Sequence, residues 1–329
     1  MLHYLIKRGL IYLAAFIAVL NVIFFLPRFA LGNISEILAG NSRLPAVAVM
    51  QISERLGLNH PLYYQYGIFL KNIFLTFPPY LGVSYGYYPH SVTYLFEVRA
   101  VWSLLLIVTS LVVGQIMTYI LGVFLSRRGG RKIETAFRYS LFTFNSVPLF
   151  WVSMILLYAL AIYTHILPLF GNVTLKDISG SPAYYGSILW HMVLPVFALS
   201  VSLMGESFFL LRGSLHKALK SDYVLAAKSR GLTSWMVSSR YVLRNSFPPL
   251  VSLTFLFTAG VLSRLILIEP VFGYPGVGDL LVDGVIGRDY PVVIGSLFFF
   301  TLMVITGGLI GDAVFARLAP RLQTYKSQQ

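Results

Sequence analysis

The 329-residue chain contains no cysteine. That absence excludes a disulfide framework, Cys-ligated zinc and thiol chemistry, while leaving the compartment open, since a chain without thiols suits any redox state. Acidic residues are scarce as well: Asp and Glu number 12 against 25 Lys and Arg, and charged residues make up only 11% of the chain. With 57% hydrophobic residues and a mean hydropathy of +0.75, the chain holds more apolar surface than one soluble domain of its size could bury. Composition therefore argues against a water-soluble enzyme. A net charge of +13 would suggest nucleic acid in a soluble protein. In so apolar a chain it marks the cytoplasmic side of a membrane protein instead, and no nucleic-acid partner is expected.

Catalytic signatures are missing too. No G-x-x-x-x-G-K-[ST] occurs, so the chain has no such loop with which to cradle ATP phosphates. His3, His60, His90, His165, His191 and His216 show no metal-ligand spacing, and there is no G-x-S-x-G elbow. Neither a metal site nor a catalytic residue is expected. Gly273, Gly276 and Gly278 superficially match a dinucleotide loop but lack its strand–helix setting.

What the chain does have is long apolar runs. A bilayer core of roughly 30 Å takes about 20 apolar residues of helix. Gly9–Leu26, Ala100–Leu125, Tyr139–Leu167, Tyr185–Leu211, Phe247–Ile268 and Tyr290–Gly311 each meet that length. The expected architecture is an all-α membrane protein with six transmembrane helices. The first run follows Lys7 and Arg8 and precedes Ala30-Leu31-Gly32, as in a cleavable signal. Its apolar stretch exceeds the usual 7–15 residues of a signal peptide, so an uncleaved anchor is expected.

Sidedness follows from the basic residues. With the N-terminus inside, most Lys and Arg fall on one side: Lys7 and Arg8, the cluster from Arg127 to Arg138, the group from Arg212 to Arg244, and Arg317, Arg321 and Lys326. That bias places both termini in the cytoplasm. Glu36, Glu54, Glu97, Asp177, Asp279, Asp283 and Asp289 lie on the other side, as do the sequons at Asn33 and Asn172. The expected organisation is an N-terminal membrane helix over 1–31, an extracytoplasmic region over 32–98, a five-helix core over 99–316 and a cytoplasmic tail over 317–329. Within the outer region, Val47–Leu58 reads as a short amphipathic helix, with a Tyr-rich interfacial part after it.

Glu206 and Arg264 are the ionisable residues well inside the expected spans. Such residues are candidates for lining a substrate path, or else they pair with each other or snorkel from a helix end. Gly114, Thr118 and Gly122, and Gly307 and Gly311, lie at a helical spacing that permits close helix contact, and read as packing positions.

A basic inner loop over 212–246 is too long for a simple connection. Within it, Asp222 to Leu232 reads as a helix with an early acid, late bases at Lys228 and Arg230, and a stop at Gly231. A second helix from Ser234 to Asn245 completes an elbow. Ala226 and Ala227 would leave one face thin enough for a partner's groove. The plainer alternative is an ordinary interfacial helix.

Asp222-Tyr223-Val224, Ala227, Gly231-Leu232, Leu243-Arg244-Asn245 and Pro248, with Arg212 and Ser214-Leu215 upstream, resemble the coupling-loop signature of ABC-importer permeases of the dipeptide/oligopeptide type. Glu269, Phe272, Pro275-Gly276-Val277-Gly278, Leu280 and Arg288-Asp289-Tyr290-Pro291-Val292-Val293 resemble that family's outer hairpin. Asp312 and Pro320-Arg321 resemble its C-terminal signature, and Leu56-Gly57-Leu58, Pro61-Leu62 and Gln65-Tyr66 its N-terminal phrase. The resemblance spans nearly the whole chain. Leu225, Phe209, Gly308 and Ala319 depart from the residues usual there.

The resemblance implies a type I ABC importer permease fold with a cytoplasmic coupling helix. It implies a non-catalytic subunit working by alternating access with a second homologous permease, two ATPase subunits that bind ATP and magnesium, and an extracytoplasmic substrate-binding protein. Asp222, Tyr223, Ala226, Ala227, Arg230, Gly231 and Arg244 would contact an ATPase. Glu206, Arg264 and Glu269 would line the substrate path, and Pro275, Gly276, Gly278, Asp289 and Tyr290 would form the outer hairpin. Peptides are the expected substrate, with oligosaccharides or nickel as alternatives on the same machinery. A standalone channel or secondary carrier, and more remotely a membrane-embedded enzyme, remain as different classes.

Overall fold

The computed structural model describes residues 2–30, 34, 38, 40, 44–128, 131–174, 179–243, 246 and 258–318. Its elements are helices: α1 Leu2–Ala30, α2 Ala46–Leu56, α3 Leu62–Phe74, α4 Val92–Arg128, α5 Arg131–Ser146, α6 Leu149–Leu157 with a wide turn over Tyr158–Tyr163, and α7 Pro182–Leu219. Next come α8 Asp222–Ser229, α9 Ser234–Met236 with a wide turn over Val237–Leu243, α10 Thr258–Val271, α11 Val277–Ile286 and α12 Tyr290–Leu318. Among the described residues the only β pairing is an isolated bridge between Val83 and Ser91.

Among the described residues, four single helices are long and apolar enough to cross a bilayer: Ile6–Leu26, Val92–Leu125, Pro182–Gly205 and Tyr290–Val314. The expected span Tyr139–Leu167 is instead two helices, α5 and α6, bent by 97° at their junction. Pro148 causes the break: it has no N–H to donate and disfavours helical backbone at Val147. Its own carbonyl then accepts the first amides of α6, Trp151 at 3.0 Å and Val152 at 3.3 Å. The expected span Phe247–Ile268 is described only from Thr258 onward, so its first half lies outside the described residues. α4 starts at Val92, and the end of the expected outer region is therefore already helix.

The central core lies between α4, α7, α10, α11 and α12, around Leu106, Leu199, Val261, Leu265, Ile268 and Val292. Lipid tails are as apolar as Leu, so such helices are held by close packing rather than by exclusion of water. The α4–α7 contact shows how the sequence achieves this. A Cβ on Gly114 would lie 3.1 Å from the Ser200 carbonyl oxygen, and one on Gly122 would lie 2.7 Å from Leu211 Cδ2. Thr118, between them, is fully buried and donates to the Gly114 carbonyl at 2.8 Å. Polar bonds cross the same seam: Ser200 Oγ donates to the Ser110 carbonyl at 3.1 Å, and Gln115 Nε2 to Ser207 Oγ at 3.1 Å. The small-residue stripe on α4 is thus a packing seam within this subunit.

Elsewhere, α1 and α12 are joined by Asp312, which accepts from Tyr12 at 3.1 Å and lies 3.6 Å from Arg8. Gly308 leaves the room for Tyr12, since a Cβ there would lie 2.6 Å from the phenol oxygen. A Gly114→Leu variant would push its side chain into helix backbone, which cannot swing aside as a side chain can. We expect it to lose about 1–3 kcal/mol of stability, read as earlier thermal aggregation in detergent. Gly186→Leu, on α7 with nothing within 4 Å of a Cβ, should melt like the parent.

Candidate functional site

Three features bear on function: the knuckle at α8, a cleft beside α7, and the hairpin around α11.

α8 projects beyond the end of α7 and is held from one side only. Val224 and Ala227 are buried against Leu211, Leu215, Ala218, Val237 and Val242. Asp222, Tyr223, Leu225, Ala226, Lys228 and Arg230 are exposed. Ala226 and Ala227 therefore do not share one thin face: neighbours on a helix are about 100° apart, and only Ala226 remains outward. The expected glycine stop is present. Gly231 has φ +73°, its N–H donates to the Lys228 carbonyl at 2.9 Å, and the Leu232 N–H donates to the Ala227 carbonyl at 3.4 Å. This paired closure satisfies the last carbonyls of the helix and needs a left-handed residue where Gly231 sits. Nothing lies within 4 Å of a Cβ on Gly231, so the requirement there is backbone conformation alone. Arg244 lies outside the described residues.

The loop is also tied to α5. Arg212, near the end of α7, forms a two-pronged ion pair with Glu134, its Nε and one terminal nitrogen each meeting a carboxylate oxygen, the latter at 2.7 Å. Glu134 lies in the first turn of α5, where a negative charge also suits the helix dipole.

The cleft has a volume of about 390 Å³ and lies between the α5–α6 bend and the middle of α7. Asn145, Pro148, Ser202, Gly205, Phe209 and Arg264 are among its lining residues. Half-buried Arg264 brings positive charge to a wall otherwise made largely of apolar and neutral groups. Gly205 permits the approach of Asn145, whose Nδ2 would lie 1.8 Å from a Cβ there. Glu206 follows on the same helix; only its backbone is described.

The hairpin around α11 is built on Glu269, which is fully buried. Its carboxylate accepts from Ser103 Oγ at 2.7 Å, from the Gly278 N–H at 2.6 Å and from the Asp279 N–H at 3.1 Å. Ser103 Oγ in turn accepts from the Val277 N–H at 2.8 Å. One carboxylate thus caps the N-terminus of α11 and fastens it to α4, using amides that have no partner within their helix. Glycine is required beside it: a Cβ on Gly276 would lie 2.2 Å from the Glu269 carboxyl carbon, and one on Gly278 would lie 2.8 Å from the Leu265 backbone. Pro275 leads into this turn, half-buried. In this structure Glu269 faces the hairpin interior, whereas Arg264 borders the cleft.

Asp289 does the same work at the start of α12. Buried, it accepts from Ser84 Oγ at 2.5 Å, from the Gly86 N–H at 2.8 Å and from the Val292 N–H at 3.4 Å. Burial pushes its carboxyl above the usual range, and these hydrogen bonds pull it back. Between the two acids, Arg99 pairs with Asp279 at 2.8 Å and Tyr87 donates to Asp283 at 2.7 Å. Burial also raises Asp279, helped by the charge of Asp283 and opposed by Arg99. Tyr87 is pushed up to about 12 by burial and by its bond to Asp283. Tyr290 is buried beside the Arg28 guanidinium, 5.8 Å from its ring. Sequence reading singled out the hairpin residues but not Ser84, Tyr87, Arg99 or Ser103. Only the opposite charges of Arg99 and Asp279 could have hinted at these ties.

Gly276→Ala should therefore displace the Glu269 carboxylate and loosen the hairpin locally. Hydrogen exchange should quicken across α11 by about tenfold or more while α4–α7 amides keep their protection. Unchanged exchange in α11 would remove Glu269 as its anchor.

Residues 118–324 match the family described as binding-protein-dependent transport system inner membrane component. Similarity to individual proteins runs nearly end to end. The chain is 26% identical over 323 residues to the oligopeptide transport system permease protein AppB of Bacillus subtilis, covering 98% of this chain and 100% of that one. It is 28% identical over 348 residues to the dipeptide transport system permease protein DppB of Escherichia coli K12, covering 99% and 100%. With the DppB protein of Bacillus subtilis it shares 29% over 269 residues, 82% of each chain. The match covers the end of α4 and every element from α5 to α12, and with them the α8 knuckle, the cleft and the hairpin. The chain belongs to the family of binding-protein-dependent transport system inner membrane components.

Proposed function

We propose that this chain is one membrane subunit of an ATP-driven importer of dipeptides and oligopeptides, fed by an extracytoplasmic binding protein. The observation that carries the reading is the α8 knuckle, a short helix exposed along one side and anchored by Val224 and Ala227 to the end of the 38-residue α7. A push on α8 has a direct path into the membrane, because α7 is packed closely along α4 and borders the cleft. The end-to-end similarity to proteins named as dipeptide and oligopeptide permeases supports the substrate class.

In this reading the chain has six spans with both termini in the cytoplasm, the α5–α6 pair being one bent span and the helix ending at Val271 another. Two ATPase subunits, each binding ATP and magnesium, hold α8 of this chain and its counterpart in a second homologous permease. Asp222, Tyr223, Ala226, Arg230 and Arg244 meet the ATPase; Ala227 and Gly231 hold the helix in shape for it. When the ATPases close on ATP, α8 carries α7 with it and the two permeases swing between inward-open and outward-open packings, as close-packed interfaces do in discrete steps. The chain contributes no catalytic residue. Arg264, and Glu206 one turn from the cleft's Ser202, line the path, where the guanidinium suits a peptide carboxylate. Glu269 acts by holding the outer hairpin that seals the path from outside.

Three measurements test this reading. The chain should co-purify with two ATP-hydrolysing subunits; purification as a lone transporting species would instead indicate a channel or secondary carrier. Gly231→Asp should insert normally yet lose peptide uptake and the stimulation of ATP hydrolysis by loaded binding protein, and full uptake would remove the coupling role. Arg264→Gln should lower peptide uptake while that stimulation persists, and uptake equal to the parent's would take Arg264 off the path.

A further inference from the structure

α3 lies within the region between the first two spans, yet its contacts place it beside the membrane-crossing part of α1. Gln65 Oε1 accepts from Arg28 at 3.4 Å, Tyr66 donates to Asn21 at 3.0 Å, and the Phe69 ring lies 5.2 Å from that of Phe24. Phe74, the last residue of α3, lies 6.3 Å from Phe16. As α3 advances, its partners on α1 step backward, so the two helices run antiparallel. Phe16 is the middle residue of the apolar stretch Ile6–Leu26. Arg28 and Phe16 are separated by roughly 18 Å of helix at 1.5 Å per residue. α3 therefore descends from the rim of the span toward its centre.

The end that descends is also the end that is uncovered. Phe74 is 57% exposed, Leu75 77% and Phe77 101%, an apolar tip that would be costly in water. On its other side Ile73 packs with Leu20, Ile23 and Phe298, so the tip continues the outward apolar surface of α1 that includes Leu13 and Ile17. The turn after the helix leaves few backbone donors to satisfy. Pro78 and Pro79 have none, Leu75 N–H donates to the Lys71 carbonyl at 2.9 Å, and Tyr80 N–H donates to the Asn72 carbonyl at 3.0 Å. Backbone at membrane depth requires such internal pairing. Lys71 is the single charge between residues 62 and 80. Side chains lean toward a helix's N-terminus, and that of α3 is at the rim, so the ammonium reaches back toward headgroup level.

We infer that α3 and the turn after it form a re-entrant segment whose tip, Phe74, Leu75 and Phe77, contacts the acyl chains of the outer leaflet. Which leaflet it enters rests on the sidedness proposed above; its insertion into lipid does not. The consequence is that the segment between the first two spans is only in part a domain in water: it anchors itself in the bilayer next to α1.

The chain's lack of cysteine allows a direct test. Leu75→Cys, Phe77→Cys and, for comparison, Ile286→Cys at the exposed end of α11 are spin-labelled in a transporter whose other subunits are cysteine-free. The complex is studied in phosphatidylcholine nanodiscs, which leave both faces open and make the result independent of sidedness. Relaxation by dissolved oxygen reports the apolar phase, and relaxation by a water-soluble nickel chelate the aqueous one. Positions 75 and 77 should show strong oxygen relaxation and roughly tenfold or more weaker nickel relaxation than position 286, since a hydrated complex is excluded from the hydrocarbon core. Nickel relaxation equal to that at 286 would place the tip in water, and weak relaxation by both agents would place it under protein; either result overturns the inference. ATP hydrolysis by each labelled complex shows that the assembly is intact.

Discussion

The close approach of α4 to α7 is the constraint on which the rest of the structure depends. In a bilayer the drive to hide apolar side chains from water is already met by lipid, so two long helices stay together only if their surfaces fit. Gly114, Thr118 and Gly122 supply that fit by letting the Ser200 backbone and the Leu211 side chain come close. From this seam the other features follow in both directions. At one end, α7 runs on to α8 and gives Val224 and Ala227 a surface to lie against. At the other end, α4 presents Ser103 to Glu269 and Arg99 to Asp279, and so carries the hairpin.

What could be read from the sequence is what local chemistry decides. The stop at Gly231 was legible because ending a helix there needs a left-handed residue, and the short helix near Val47–Leu58 was legible because its apolar positions recur at helical spacing and Gly57 follows. The glycines of the hairpin stood out as a pattern, but their reason did not. That Gly276 must be bare because a carboxylate from seven residues earlier folds back over it is a tertiary fact. The bend at Pro148 shows a different limit: hydropathy sees Tyr139–Leu167 as one apolar run and takes no account of direction.

The alanine pair on α8 makes the same point on a smaller scale. Sequence shows two small residues side by side and suggests one thin face. Helical geometry separates them, and burial decides that Ala227 is spent on anchoring the helix while Ala226 is left outside. α3 is a further case. Its hydrophobic run is too short to span a bilayer, so composition assigns it to an outer region, and only its pairing with α1 reveals the depth at which it lies. In each instance what was missing was the identity of a partner distant in sequence, which no period or propensity encodes.

The scarcity of acids now has a physical reading. Glu134, Glu269, Asp279, Asp283, Asp289 and Asp312 each join one element to another: α5 to α7, α10 to α4 and α11, α11 to α4 and to the loop before it, that loop to α12, and α1 to α12. They gather at the helix ends, where a carboxylate can meet free amides, hydroxyls or a guanidinium instead of hydrocarbon. An acid without such a partner would need desolvation with nothing in return, which favours keeping acids few and committed. Asp222 is the contrast, exposed in the first turn of α8. There a negative charge suits the helix dipole and remains accessible to another protein, which is the disposition a docking helix requires and the buried acids of the hairpin do not have.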